Sequence, residues 1–374
     1  MSTGKRQVRA NRKQNEKMRR QAQEYGYTER EWKRISAQEK SESLNQWKLW
    51  AAMAGLLVLL SAMIFFVWYV VFRSHDYALA QPFDKDHYVL GIPSDLNSVD
   101  QADGFSADLC VTDTDVARSS ITMEASTGAL FDINNVRVDY AKDIFTRRSP
   151  ASLTKIMTAL VALKYGNPDD KITVTETALD IEVGSSVCDI KVGDTFSLKQ
   201  LIYGMLIASG NDAAMMIAEH VGGSVEQFVE LMNMEAKELG CTQTHFTNPH
   251  GLTDSEHYTC AYDIYLMFNA AMKYDMYMDI IQRENYYAEY TNAEGSPAAV
   301  TWESTDHYLI GTAIAPDNVI VFGGKTGTTS DAGGCLALLV KDLYGNPYVS
   351  IIMHSQDHDT VYDDMNKVLS LIGT

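Results

Sequence analysis

Apolar and polar positions change their pattern several times along the 374-residue chain. Residues 1–48 are polar, rich in Arg, Lys, Gln and Glu, and show no sustained apolar period. They predict a cytoplasmic basic tail, either flexible or lying as a surface helix on the inner leaflet. Leu49 to Phe72 is a run of 24 residues without a charge, bracketed by Lys48 and Arg73. About 20 apolar residues cross a bilayer, and Trp47, Trp50, Trp68 and Tyr69 sit near the ends of the run as interfacial aromatics do. Residues 73–104 are acidic and broken by Pro82, Gly91, Pro93 and Gly104, which predicts an extracytoplasmic stalk. Residues 105–374 predict one folded domain. Its first alternating stretches, Ile121–Ala125 and Ala129–Ile133, flank Ser126-Thr127-Gly128 and read as a hairpin. An uninterrupted helix-forming run follows Pro150 and stops near Gly166. Further helices are expected at about 197–209, 212–222, 224–239 and 258–273. Strands are expected at 285–291, 318–324, 335–342 and 347–353, with a closing helix at 359–372. Strands at both ends and helices between them predict a mixed α+β fold, in which an antiparallel sheet is built from both ends of the domain around an inserted helical lobe.

Charge orients this arrangement. The net charge of -18 divides unevenly: residues 1–49 hold 13 basic and 6 acidic side chains, whereas Ser74 onward holds 17 basic and 43 acidic. Basic residues behind the apolar run predict a cytoplasmic tail, with residues 74–374 outside. The acidic body argues against a nucleic-acid partner. A buried core helix does not account for so long a charge-free run. A cleaved signal peptide is the stronger rival, because Ala78-Leu79-Ala80 has the small-x-small form of a cleavage site. That site lies eight residues past an apolar run longer than the roughly 7–15 residues of a signal core, so an uncleaved anchor at 49–72 is favoured. The five cysteines, Cys110, Cys188, Cys241, Cys260 and Cys335, form no C-x-x-C pair and cannot all pair internally. Most read as small buried hydrophobes, with Cys241–Cys260 the candidate if one disulfide forms.

The chemistry concentrates in three stretches. Ser152-Leu153-Thr154-Lys155 opens the helix after Pro150, and a spacing of three places Ser152 and Lys155 on one helical face. A serine beside an amine that loses its proton on desolvation suits acyl transfer. The second S-x-x-K, Ser2 to Lys5, lies in the polar tail and reads as chance. Ser209-Gly210-Asn211 closes an apolar helical run, where it either links helices or points Ser and Asn into a cleft. Gly323-Gly324-Lys325-Thr326-Gly327-Thr328 follows the apolar strand Val319–Phe322. Its glycines permit close approach of a ligand backbone, and its lysine suits a carboxylate. It lacks the glycine spacing of a phosphate-binding loop.

S-x-x-K, S-x-N and K-T-G in this order resemble the penicillin-binding proteins and serine β-lactamases. The chain from about Phe105 is similar to the low-molecular-mass members, the serine-type D-alanyl-D-alanine carboxypeptidases. Arg147–Ala151, Asn211-Asp212-Ala213-Ala214 and Phe246–Leu252 join the resemblance. It implies a bacterial enzyme that removes the terminal D-alanine from peptidoglycan stem peptides and is acylated by β-lactams; the apolar run at 49–72, outside the resemblance, adds attachment to the cell membrane by one pass. Ser152 would be the nucleophile and neutral Lys155 its base. Ser209 would relay the proton to the leaving group, and Asn211 would orient substrate and lysine. Lys325 and Thr326 would bind the terminal carboxylate in a substrate site completed by Gly327 and Thr328. The backbone N–H groups of Ser152 and Thr328 would form the oxyanion hole. No cofactor and no metal are implied. His245, His250 and His257, with Asp254 among them, match no closed zinc spacing. Relatives often carry a further sheet domain and a terminal amphipathic anchor. Here the N-terminal span is expected to replace that anchor. Two rivals stand. A β-lactamase would need a general-base glutamate between the second and third motifs, and residues 212–324 hold no matching stretch; Glu176–Asp180 is similar but precedes the second motif. A wall-binding or β-lactam-sensing module would be marked by loss of a catalytic residue, and all are present.

Overall fold

The computed structural model describes residues 108–118 and 121–373, with scattered positions between 16 and 34. The anchor expected at 49–72 and the stalk at 73–104 lie outside the described residues. No helix among the described residues is long and apolar enough to cross a membrane. The chain divides into two units, residues 1–99 and 100–374, and the second carries the site.

Its main sheet has five antiparallel strands in the order β2-β1-β9-β8-β7. These are β1 (Thr127–Asp132), β2 (Arg137–Lys142), β7 (Val319–Thr329), β8 (Gly333–Asp342) and β9 (Pro347–Ser355). The N-terminal hairpin thus pairs with the last strand, as expected from strands at both chain ends. The hairpin itself lies elsewhere than predicted. Its turn is at residues 133–136, where Asp132 accepts hydrogen bonds from both the backbone and the side chain of Asn135. Residues 121–125 are not a strand. The backbone N–H groups of Glu124 and Ala125 donate to the buried carboxylate of Asp364 at 3.0 and 2.6 Å, a long-range partner that local alternation does not reveal.

Period-two alternation gives the sheet two buried faces. Ala129, Phe131, Ala337, Leu339, Val349 and Ile351 point into the core shared with the helical lobe. Leu130, Leu336, Leu338, Val340 and Ile352 point the other way. That second face is covered by the closing helix α7 (Thr360–Leu369), which buries Val361, Met365, Val368 and Leu369. Each such side chain contributes about 1.5–3 kcal/mol on burial.

The inserted lobe is α1 (Thr154–Tyr165), α2 (Leu198–Ile207), α3 (Asn211–Gly222), α4 (Val225–Glu238), α5 (Ala261–Ala271) and α6 (Asp275–Ile281). The last of these was not anticipated. Ser197 and Gln200 form a reciprocal capping box that fixes the start of α2. Helix α1 is buried from Thr154 through Ala162, because α2, α3, α4 and α5 all pack on it. A second sheet joins β3 (Lys171–Thr173), β4 (Thr195–Ser197), β5 (Asn285–Thr291) and β6 (Pro297–Glu303). Only β5 was expected. Strands β3 and β4 have three residues each, too short for a periodic signal, and β6 starts at a proline.

All five cysteines are buried free thiols, which removes the Cys241–Cys260 disulfide. The Cys260 sulfur instead caps α5 by accepting from the Asp263 N–H at 3.4 Å.

Candidate active site

Ser152 lies in a single 3₁₀ turn, Ala151–Leu153, which runs directly into α1. The backbone enters this turn through Ala151 at φ +48°, a left-handed conformation uncommon for a residue with a Cβ. Gly251, at φ +93°, packs beneath the turn; a Cβ there would lie 1.9 Å from the Ala151 carbonyl oxygen. The Thr154 hydroxyl donates to that carbonyl and sits 2.8 Å from His257 Nε2. His257 Nδ1 accepts from the Thr247 N–H, so Nε2 carries the ring proton and donates to Thr154. Burial pushes this imidazole down to about 4, consistent with that neutral tautomer. Of the histidines considered for zinc, His257 thus supports the Ser152 turn, whereas His245 Nδ1 meets the Glu256 carbonyl at 2.6 Å.

Lys155 is fully buried. Its Nζ lies 2.9 Å from Ser152 Oγ, 2.7 Å from Asn211 Oδ1 and 2.8 Å from the His250 carbonyl oxygen. Burial, with the nearby Lys325 charge, holds the amine well below the ordinary lysine range. A neutral amine has two N–H groups and one lone pair. Asn211 Oδ1 and the His250 carbonyl are acceptors only, so they take the two N–H groups. The lone pair is left facing the Ser152 hydroxyl, which donates to it. His250 contributes through its backbone. That role was missed because nothing in a sequence marks a carbonyl.

Ser209, at φ +58°, makes the break between α2 and α3. Gly210 is the N-cap of α3, and neither Ser209 nor Asn211 caps it by a side chain. The next carboxylate, Asp212, accepts the N–H groups of Cys188 and Ile190 and so ties the 186–190 segment to the helix start. Ser209 Oγ accepts from Lys325 Nζ at 3.0 Å, and the Thr326 carbonyl takes a second proton of that amine at 2.9 Å. Lys325 is fully buried, which pushes its amine down to about 7.

Strand β7 is the outer strand of the main sheet, so one edge of its backbone has no strand partner. The turn bearing Ser152 packs on it. At Gly327 a Cβ would fall 2.8 Å from the Ser152 N–H nitrogen. Only glycine lets the strand come this close to the nucleophile's amide. The Thr326 hydroxyl is 2.6 Å from that of Thr305, while Thr328 is exposed at the strand edge. Thus Ser152, Lys155, Ser209, Asn211, Lys325 and Gly327 meet in one place, Thr326 is held from behind, and Thr328 lies at the rim. Glu176 is exposed on a 3₁₀ turn, and no carboxylate among the described residues is hydrogen-bonded to Ser152 or Lys155.

The mixed helical and antiparallel-sheet architecture, with an S-x-x-K serine facing an edge strand that carries K-T-G, defines a D,D-peptidase fold. Residues 113–356 match the peptidase S11 family, D-alanyl-D-alanine carboxypeptidase, and the chain belongs to that family. It is 36% identical over 235 residues to the D-alanyl-D-alanine carboxypeptidase DacF of Bacillus subtilis, covering 60% of this chain and 56% of the relative. It is 33% identical over 221 residues to DacD of Escherichia coli, covering 56% and 53%. The chain therefore spans about half the length of these curated relatives. The solved Streptomyces K15 DD-transpeptidase superposes with a TM-score of 0.63 at 28% identity, over 68% of this chain and 98% of that one. A D-alanyl-D-alanine carboxypeptidase DacD from Francisella tularensis superposes with a TM-score of 0.58 at 25% identity, over 70% and 73%.

Proposed function

We propose that the chain is a serine D,D-carboxypeptidase acting on peptidoglycan stem peptides that end in D-Ala-D-Ala. The observation that carries this reading is buried Lys155, whose Nζ is held 2.9 Å from Ser152 Oγ by two acceptor-only partners, Asn211 Oδ1 and the His250 carbonyl. Ser152 Oγ attacks the carbonyl of the penultimate D-alanine while its proton passes to Lys155. The negative charge that develops on the carbonyl oxygen falls to the N–H groups of Ser152 and Thr328, and stabilisation of this kind is usually the largest catalytic contribution. Ser209, held by Lys325, relays the proton taken up by Lys155 to the amine of the departing D-alanine, which returns Lys155 to its neutral state. Lys325, with Thr326, binds the terminal carboxylate. Water then resolves the acyl-serine and regenerates Ser152. An amine in place of water would give transpeptidation from the same intermediate, the activity in the name of the K15 neighbour.

β-Lactams present a carboxylate and a strained amide to the same groups and acylate Ser152. The uncharged run at 49–72 supports anchorage by one span in the bacterial cell membrane, with the tail inside and the catalytic unit outside.

The test is release of D-alanine from a peptide ending in D-Ala-D-Ala by the full-length protein, beside Ser152→Ala. Release by the wild type alone is expected. Equal release by both would remove Ser152 as nucleophile, and none by either would remove the carboxypeptidase reading.

A further inference from the structure

Asp306 lies just past β6 and is buried, with 3% of its surface exposed. One carboxylate oxygen accepts from the Tyr308 N–H at 3.0 Å. The other, Oδ2, is buried without a hydrogen-bond partner. Its neighbour Thr305 is pinned on two sides. The Thr305 N–H donates to the Ile207 carbonyl at the end of α2, and its hydroxyl meets that of Thr326 on β7. Residue 306 is thereby fixed next to the end of α2, two residues before Ser209, and next to β7, which carries Lys325. Lys325 itself donates to Ser209 and to the Thr326 carbonyl, and among the described residues it forms no ion pair with a carboxylate.

We propose that Asp306 is a positioning residue: a buried counter-charge, without contact to substrate, that keeps Lys325 protonated in the free enzyme and ready for an anionic substrate end. This deepens the carboxypeptidase reading and rests on it for the role of Lys325. Two opposite charges in a poorly polarisable interior attract without touching. Among the ionisable groups around Lys325, Asp306 is the one that favours its protonated form. Lys155, from α1, and His358, from the segment before α7, are each disfavoured as cations by the Lys325 charge. Around Asp306 stand Tyr308 and Tyr362, each held in its neutral form in part by the Asp306 charge. Asp306 itself is pushed up to about 6 by burial, so it is ionised above that pH. Without its charge, Lys325 would release its proton below the present value of about 7. An anionic substrate would then have to bring a proton with it, at about tenfold per pH unit above the new value.

The test is Asp306→Asn in the full-length protein, a change that keeps the shape and the acceptor for Tyr308. With lysine labelled by 13C at Cε, the Lys325 signal, identified by its loss in Lys325→Arg, is expected to titrate about one unit lower or more in the variant. Acylation of Ser152 by benzylpenicillin, followed by mass spectrometry, is expected to slow roughly tenfold on the alkaline side. Acylation by its methyl ester, which lacks the carboxylate, is expected to change less than about twofold. Asp306→Glu should restore part of both effects. A Lys325 titration unmoved by Asp306→Asn, with Ser152 still acylated, overturns this inference and leaves the carboxypeptidase reading intact. A shifted titration in a protein that releases no D-alanine supports the charge coupling and removes the carboxypeptidase reading. Should Asp306→Asn fail to fold, the wild type decides. Lys325 Cε and Asp306 Cγ must titrate in shared, coupled steps, and two independent curves overturn the proposal.

Discussion

Lys155 and Lys325 are both fully buried, yet the proposed mechanism asks opposite protonation states of them. Lys155 must be neutral to take the Ser152 proton, and burial together with the Lys325 charge drives it there. Lys325 must be charged to hold a carboxylate, and it sits near 7. The signs predict a bell-shaped pH profile of kcat/KM for carboxylate substrates. Activity falls on the acid side as Lys155 gains a proton, and on the alkaline side, from about pH 7 upward, as Lys325 loses one. Bound carboxylate favours the Lys325 cation, so the alkaline limb of kcat should lie at higher pH than that of kcat/KM. Coincident limbs would show that another group sets the alkaline side. Lys325→Ala removes a charge-assisted hydrogen bond worth about 1.5–3 kcal/mol, so kcat/KM should drop roughly 10- to 150-fold for a D-Ala-D-Ala carboxylate. The corresponding C-terminal amide should lose far less, and equal losses would make Lys325 structural or part of the proton relay. With no carboxylate hydrogen-bonded to Ser152 or Lys155 among the described residues, deacylation of β-lactams should be slow. Labelled penicillin is expected to give a long-lived adduct that Ser152→Ala abolishes. Hydrolysis at many turnovers per second would favour the β-lactamase reading.

At the scale of elements, the site is a junction of a helix start, a helix break and a sheet edge. The first two are held in a backbone geometry that their own residues do not prefer: Ala151 and Ser209 both have positive φ. Such strain persists where surrounding contacts over-determine it. For Ala151 the contact is Gly251, from a loop about 100 residues away in sequence. Gly251→Ala meets both a left-handed backbone, costing about 1–2 kcal/mol, and the Ala151 carbonyl. The melting temperature should fall by roughly 2–4 °C per kcal/mol lost, with penicillin labelling reduced in the folded fraction as the nucleophile turn shifts. Gly327→Ala makes a contrasting case, because its Cβ would press on the Ser152 amide itself. It should impair acylation more than stability. Unchanged labelling in both variants would mean that the turn and strand are more adaptable than their packing indicates.

For the whole molecule, the uncharged run with basic residues behind it makes a topological prediction. Protease added to intact protoplasts should digest the catalytic unit and spare the tail. A soluble fragment beginning near Gln81 during growth would indicate cleavage instead. Within the catalytic unit, most features that depend on near neighbours were legible in sequence: helix periods, strands with clean alternation, and the order of the three motifs. Local sterics and periodic burial determine such features. The misread segment at 121–125 and the unforeseen second sheet depended on partners far along the chain, Asp364 in the first case and strand pairing across the helical lobe in the second. The motifs likewise picked out side chains that the fold brings together, without their states. S-x-x-K does not say how far burial lowers the Lys155 amine, that the His250 carbonyl takes one of its protons, or that Asp306 is buried with one oxygen unpartnered. Protonation and hydrogen-bond direction follow from desolvation and from which groups meet in space. The amino-acid sequence by itself determined most of the elements, the family and the side chains proposed to react. Tertiary structure alone decided their charges and aim, because burial and long-range contact exist only once the chain has closed.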